Sequence, residues 1–172
     1  NSKGNPIHPT EEGIRNFWRW FGSSRVVDDQ GRPLVVYHGT GKEIGGTFAA
    51  GADWAAQTNG NPTGAWGSYF TADPREASIY AEMSGRDTPQ TVFPVFLSIK
   101  NPRIMSRAEW GRHTLTANKK KTNAEGREYA RAVRAEIEGG GYDGIIVRDR
   151  GFNDEYVAFS PEQIKSATGN RG

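Results

Sequence analysis

One stretch of the sequence, "SYFTADPREASIYAE" (residues 68–82), constrains the fold more than any other. Its first four residues favour a β-strand, because aromatic and β-branched side chains predominate there. Asp73 is a favourable helix N-cap, Pro74 suits the first position of a helix, and Glu76 can complete a capping box. The stretch therefore predicts a β-strand that turns sharply into an α-helix.

Two further helices are predicted from apolar residues that recur every three or four positions. The first, "EEGIRNFWRWFG", ends at a glycine, and the second, "AEGREYARAVRAEIEGGG", ends in three. The apolar face of the first is predicted to comprise Ile14, Phe17, Trp18 and Phe21. One side of the second is predicted to comprise Tyr129, Val133 and Ile137.

The remaining apolar segments predict short β-strands separated by turns. "RVVDDQGRPLVVYHGT" indicates two strands around an Asp-Gln-Gly turn, and "TVFPVFLSIKNPRIM" indicates a strand interrupted by Pro94, as at an edge or bulge. "YDGIIVR" and "EYVAFS" indicate two more strands, and "PEQIKSA" a turn of helix. Because strands outnumber helices and most connections do not resemble βαβ units, the predicted fold class is α+β.

The length of 172 residues favours one domain with a hydrophobic core. Residues 1–10 are predicted to form a loose leader, residues 41–66 a long mobile loop, and residues 11–172 a single domain. The chain begins with Asn1 and not with methionine, which indicates a piece of a longer protein.

Composition excludes several classes of protein. The net charge of +2 is too small to indicate nucleic-acid binding by itself, and the lack of cysteine excludes disulfides and thiolate metal sites. No apolar run approaches the ~18 residues of a membrane span, and no secretory signal pattern is present. His8 and His113 match no motif and are predicted to lie at the surface.

The stretch "LVVYHGT" (residues 34–40) carries a strand directly to a histidine and then to a glycine. The strand delivers His38 to a fixed place, and Gly39 lets another group approach the backbone closely. The pattern indicates a ligand across the end of the strand. Taken alone, however, a histidine at a strand end is more often a structural residue.

Two tyrosines and a glutamate complete the candidate site. Tyr69 on the predicted strand and Tyr80 on the following helix are eleven residues apart, so their rings can face each other and bind a flat, electron-poor ring. Glu155 opens a strand after a glycine-containing loop, which suits a working carboxylate. The alternatives are core aromatics for the tyrosines, a solvated edge residue for Glu155, and Asp154 in its place.

The motifs "YHGT", "GSYFTADPREASIYAE" and "EYVAFSPEQIKSA", in that order, resemble the histidine-tyrosine-glutamate class of ADP-ribosyltransferases, the class of diphtheria toxin and the poly-ADP-ribose polymerases. The wider context, which includes "FWRWFG" and "SIKNP", is similar to the ADP-ribosyltransferase modules of phage polyproteins and bacterial polymorphic toxins. The resemblance spans most of residues 14–167. Ala77 stands where the polymerases usually carry a serine, which favours the toxin-like branch.

The resemblance implies a split, twisted β-sandwich with flanking helices that binds NAD as a substrate and needs no metal. Five residues are implied as NAD-binding: His38, Gly39, Thr40, Tyr69 and Tyr80. The histidine would bond the adenosine ribose, the glycine backbone would meet the nicotinamide carboxamide, and the tyrosines would sandwich the nicotinamide.

Glu155 is implied as the catalytic residue. It would bond the nicotinamide-side ribose and stabilise the positive charge that develops as the bond to nicotinamide breaks. Arginine-modifying members of the superfamily carry a second glutamate two residues earlier, where this chain has Asn153. Since an amide cannot act as a base, and Asp154 should point to the other face of the strand, arginine is not the predicted acceptor.

The predicted function is mono-ADP-ribosyl transfer from NAD to a macromolecular acceptor, protein or nucleic acid, by a toxin or effector domain. Such a domain would act in a cytoplasm that supplies NAD, after delivery into a target cell, and would have a cognate immunity protein. Two alternatives stay open: an NAD glycohydrolase that passes ADP-ribose to water, and a binding module whose catalytic site has lapsed.

Overall fold

The computed structural model describes residues 1–41, 61–83 and 90–168. The chain forms two compact units. The first unit comprises Asn1–Ile44, Phe70–Lys100 and Glu162–Gly172, and the second comprises Gly45–Tyr69 and Asn101–Pro161. Most of the predicted mobile loop, residues 42–60, lies outside the described residues, whereas its end forms a short 3-10 helix, Pro62–Ala65.

Four α-helices occur in the described ranges: α1 (Glu11–Phe21), α2 (Pro74–Met83), α3 (Arg107–Asn118) and α4 (Asn123–Gly139). Side chains cap their first turns, as the free N–H groups of a helix start require. Thr10 Oγ1 accepts from Gly13 N at 3.1 Å, and Ser106 Oγ accepts from Glu109 N at 3.1 Å. Thr122 forms a capping box at the start of α4.

Seven strands are present in the same ranges: β1 (Val36–Thr40), β2 (Ser68–Thr71), β3 (Thr91–Leu97), β4 (Pro102–Met105), β5 (Gly144–Val147), β6 (Glu155–Ala158) and β7 (Ile164–Ser166). Hydrogen bonding links them in the order β4-β5-β6-β2-β1-β3-β7. β4 and β5 are parallel, whereas β5–β6, β1–β2, β1–β3 and β3–β7 are antiparallel. This mixed sheet with helices confirms the predicted α+β class.

The first unit buries a face of α1 that differs from the predicted one. Phe17 and Phe21 are buried as expected, and they pack with Val35 and Phe96. Ile14 and Trp18, however, are 36% and 45% exposed, so their predicted place in the buried face was wrong. Gly13 is buried instead, and the His8 ring occupies the space that a side chain at this position would fill.

The leader contacts the first unit, where Ile7 packs against the core cluster and Ser2 forms hydrogen bonds. Ser2 N donates to Pro33 O at 3.0 Å, and Ser2 Oγ accepts from Val35 N at 3.0 Å. These two bonds pair the leader with the chain just before β1. The predicted boundary after residue 10, with one domain over 11–172, stays a prediction.

Pro94 lies within an interior strand, so its predicted place at an edge or bulge was wrong. β3 has β1 on one side and β7 on the other. The ladder to β7 begins at the pair Val95 and Ser166, and Pro94 O accepts from Ala167 N at 2.9 Å. The position where another residue would carry its N–H group therefore faces the β7 side, at the end of that ladder. The hydrogen bond lost there costs little stability.

The second unit has an aromatic core. Its buried residues include Trp66, Trp110, Ile145, Val157 and Phe159. The predicted apolar side of α4 is confirmed, since Ile137 is buried and Tyr129 and Val133 pack against the cluster. None of the helices in the described ranges has the length and apolar character that a membrane crossing requires.

Candidate active site

β1 carries three of the predicted NAD-binding residues of the first unit. His38 lies opposite Phe93 of β3, and its half-buried ring is 5.5 Å from the ring of Phe70. Gly39 lies opposite Val92, and Thr40, which ends the strand, is buried. The strand thus fixes the backbone of all three residues through its ladder to β3.

The missing side chain of Gly39 is required by the packing of α2 on β1. A Cβ atom at Gly39 would overlap the carbonyl oxygen of Ala77 and would lie 3.0 Å from Ala81 N. Both helix residues are buried. The close approach expected at this glycine is therefore made by the backbone of α2. The expected contact with a nicotinamide carboxamide stays a prediction.

Tyr80 lies on α2, and the start of this helix is fixed by side chains. Asp73 Oδ1 accepts from Arg75 N at 2.9 Å, as expected for the N-cap. Thr71 Oγ1 at the end of β2 accepts from Asp73 N at 3.2 Å and donates to Glu76 Oε2 at 2.6 Å. The Tyr80 side chain is 54% exposed, so it does not belong to the core of the first unit.

In the second unit, Tyr69 is held at both ends of its side chain. Its hydroxyl donates to Thr63 O at 3.0 Å, and its ring centroid lies 6.2 Å from that of Trp110, with the planes tilted by 43°. The ring is partly buried against the aromatic core. This places Tyr69 at the border of the core.

Glu155 is the first residue of β6 and is half-buried. Trp110 Nε1 donates to Glu155 Oε1 at 2.9 Å. Trp110 is itself 6% exposed and lies on α3. The same tryptophan therefore contacts two predicted site residues, Tyr69 through its ring and Glu155 through its N–H group.

The neighbouring carboxylate, Asp154, has different partners. Arg148 Nη2 lies 2.6 Å from Asp154 Oδ2, and Arg148 Nε lies 3.1 Å from Oδ1. The hydrogen bond with Asp154 raises the pKa of the Arg148 guanidinium. Burial raises the pKa of the Tyr156 hydroxyl far above its usual range, and the Asp154 carboxylate adds to this effect. As expected, Asp154 and Glu155 turn to different neighbours.

A family model described as ADP-ribosyltransferase in polyvalent proteins matches residues 28–172, all of the chain after residue 27. The chain belongs to this family. The resemblance inferred from the three motifs is thereby confirmed, and ADP-ribosyl transfer is the activity of the family. No curated protein and no solved structure matched the chain.

The ADP-ribosyltransferase domain holds its predicted site residues in two groups. In the first unit, β1 and α2 carry His38, Gly39 and Tyr80 and pack against each other through the glycine. In the second unit, Trp110 joins Tyr69 and Glu155. Within residues 1–41, 61–83 and 90–168, no group of three histidine or acidic side chains is arranged to hold a metal ion.

Sequence reasoning missed Trp110 in this ADP-ribosyltransferase domain, because helix α3 was not predicted. It also placed His8 and His113 at the surface, whereas both are half-buried. His113 is half-buried, its Nδ1 lies 3.1 Å from the Tyr129 hydroxyl, and its ring is 5.9 Å from that of Trp66. A signal existed in "RAEWGRHTLTAN": a tryptophan and a histidine three residues apart lie on one face of a helix.

Proposed function

We propose that this domain transfers ADP-ribose from NAD to a macromolecular acceptor, protein or nucleic acid. The observation that carries the proposal is the Glu155 carboxylate at the start of β6, held by the Trp110 N–H group at 2.9 Å. A carboxylate fixed in this way suits the stabilisation of a positive charge that develops beside it. Membership of the ADP-ribosyltransferase family supports the assignment of that charge to a ribose.

In the proposed reaction, the bond between the nicotinamide nitrogen and the ribose carbon breaks, and nicotinamide leaves with the bonding electrons. The ribose carbon gains oxocarbenium character, as in glycoside hydrolysis. Glu155 stabilises this charge through the ribose hydroxyl that it accepts from. The acceptor then forms a bond to the same carbon and loses a proton to solvent.

The proposed NAD contacts follow the implied roles. His38 bonds the adenosine ribose, the Gly39 backbone meets the nicotinamide carboxamide, and Thr40 lies beside them on β1. Tyr69 and Tyr80 stack on the nicotinamide ring. The exposed ring of Tyr80 supports a role outside the core, and the two restraints on Tyr69 support a fixed stacking surface.

The proposed acceptor is not an arginine side chain. Asn153 stands two residues before Glu155 and offers no carboxylate, and its backbone carbonyl accepts from Arg107 Nη2 at 2.7 Å. Asp154 is paired with Arg148. A hydroxyl, amide, carboxylate or nucleic-acid acceptor fits this arrangement better, because a protonated guanidinium needs a base to become a nucleophile.

The proposed setting is that of a toxin or effector, as the resemblance to toxin-like ADP-ribosyltransferases implies. Such a domain acts in a cytoplasm that supplies NAD, after delivery into the target cell. A cognate immunity protein that blocks the NAD cleft is the expected partner. Co-expression of the domain with and without its genetic neighbours, scored by cell growth, tests this setting.

The test of the function is incubation of the purified domain with labelled NAD and a cell lysate, followed by protease or nuclease digestion. Label in protein or nucleic acid, lost in Glu155→Gln and kept in Asp154→Asn, is expected. The two variants are matched, since each turns one of two adjacent carboxylates into an amide. Release of nicotinamide without labelled partner would indicate the glycohydrolase, and NAD turnover equal in both variants would refute the proposal.

A further inference from the structure

Trp110 donates a hydrogen bond to the Glu155 side chain from a distant part of the sequence. Trp110 Nε1 and Glu155 Oε1 are 2.9 Å apart and belong to residues 45 positions apart. The tryptophan is 6% exposed, so its ring has little freedom to rotate. A rigid donor of this kind restricts the carboxylate to the rotamers that reach it.

The start of α3 is tied to the loop that leads into β6. Arg107 N donates to Asp149 Oδ2 at 2.7 Å, and Arg107 Nη2 donates to Asn153 O at 2.7 Å. Its guanidinium also lies 4.8 Å from the ring of Phe152. The first turn of α3 and the residues just before Glu155 therefore form one bonded assembly, in which Trp110 is one turn further along the helix.

We infer that Trp110 is a positioning residue for the reaction, which holds the Glu155 carboxylate in the orientation that ribose needs. The inference rests on the proposed function. A hydrogen bond from a neutral N–H to a carboxylate is stronger than one between neutral groups, and the site around it is partly buried. Because catalysis depends on placement to within fractions of an ångström, loss of this donor affects the chemical step more than NAD binding.

A purely structural role is the alternative, because a buried tryptophan N–H usually needs a partner of some kind. Trp66 provides the matched control. It belongs to the same core, it is fully buried, and its ring lies 4.9 Å from that of Trp110. Its Nε1 has no hydrogen-bond partner among the described residues. Trp66→Phe therefore removes the same atoms from the same core without removing a bond to Glu155.

Trp110→His provides the rescue. The imidazole Nε2 occupies the same position in the five-membered ring as the indole Nε1, so it can donate to the same oxygen. Histidine fills less of the core than phenylalanine does. If packing alone matters, the histidine variant is the worse enzyme, whereas if the donor matters, it is the better one.

The experiment measures kcat and KM for NAD in the purified wild-type domain and in Trp110→Phe, Trp110→His, Trp66→Phe and Glu155→Ala. For Trp110→Phe, kcat falls about 10- to 100-fold while KM stays within about 2-fold. Trp110→His recovers part of the lost kcat, and Trp66→Phe keeps kcat within about 2-fold of wild type although its melting temperature falls.

Equal kcat in Trp110→Phe and Trp66→Phe, or a histidine variant no better than the phenylalanine one, would overturn the inference alone. If Trp110→Phe does not fold, the kcat of Trp110→His is compared with that of Trp66→Phe. A large loss of kcat in Trp110→His would then contradict the positioning role. Full turnover in Glu155→Ala would instead overturn the proposed function, and the positioning role with it.

Discussion

The first unit holds its candidate residues by backbone packing, whereas the second unit holds them by side-chain contacts. At Gly39, the strand and the helix approach so closely that no side chain fits between them. At Glu155, a tryptophan from a separate helix supplies a hydrogen bond. The first arrangement restrains two backbone elements, whereas the second restrains a single carboxylate.

We therefore expect substitutions in the two units to affect different quantities, NAD binding in the first and the reaction rate in the second. Changes to the exposed Tyr80 should alter how well NAD binds, because a stacking surface acts equally on bound substrate and transition state. Changes to Glu155 should alter the reaction rate, because a charge that develops during the reaction is stabilised only then. Substitutions in the two units can therefore test this division.

Glu155→Ala should lower turnover by about 10²–10³-fold with little change in NAD affinity, because the carboxylate acts mainly in the transition state. Steady-state release of nicotinamide, together with calorimetric titration of NAD, measures both quantities. A variant that keeps more than half of the wild-type turnover would contradict the role of Glu155.

Gly39→Ala should destabilise the fold by about 1–3 kcal/mol, because its Cβ meets the rigid backbone of α2. Gly111→Ala is the matched control in the second unit. Gly111 lies within α3, and a Cβ there meets nothing within 4 Å, so alanine should stabilise by about 0.5–1 kcal/mol. Urea unfolding of both variants measures the two free energies, and effects of equal sign would contradict the packing.

Tyr80→Ala should weaken NAD binding by about 1–2 kcal/mol, whereas Tyr80→Phe should bind nearly as well, since the ring face does the stacking. Titration of NAD into the two variants measures the difference. Equal damage from both would indicate a role for the hydroxyl and would refute the sandwich.

Tyr69→Phe should behave differently from Tyr80→Phe, because the Tyr69 hydroxyl donates to Thr63 O at 3.0 Å. Its loss should lower the free energy of unfolding by about 1 kcal/mol and leave the stacking ring in place. Denaturant unfolding of Tyr69→Phe beside wild type checks this. An unchanged midpoint would show that the bond contributes nothing to stability.

Agmatine, a small analogue of arginine, should show no modification above background. Asn153 offers no carboxylate, and Asp154 is bonded to Arg148. Labelled NAD with millimolar agmatine tests this. Efficient formation of ADP-ribosyl-agmatine that is lost in Glu155→Ala would show that the second unit finds a base elsewhere.

Much of the first unit could be predicted from sequence because its signals are local. Asp73 and Pro74 mark the start of α2 by well-known preferences at helix starts, and the helix begins there. The buried face of α1 was assigned less well. The pattern gave Ile14 and Trp18 equal weight with Phe17, and only the three-dimensional contacts decide which apolar residues of a helix are covered.

The key contact of the second unit could not be predicted in this way. α3 buries only Trp110 and Ala117, so its sequence has no apolar stripe that predicts a helix. The partner of Glu155 lies 45 positions away, and no spacing rule connects them. The motif suggested Glu155 as a site residue, whereas its hydrogen bond with Trp110 became visible only in the fold.

The packing at Gly39 changes how related sequences should be screened for activity. Any homologue in which α2 packs against β1 must keep this glycine, even if it has lost catalytic activity, because the helix backbone leaves no room for a side chain. A conserved histidine-glycine pair thus indicates that the fold is kept, and it does not by itself indicate activity. A tryptophan aligned with Trp110 and a glutamate aligned with Glu155, retained together, would be the better diagnostic of a working copy.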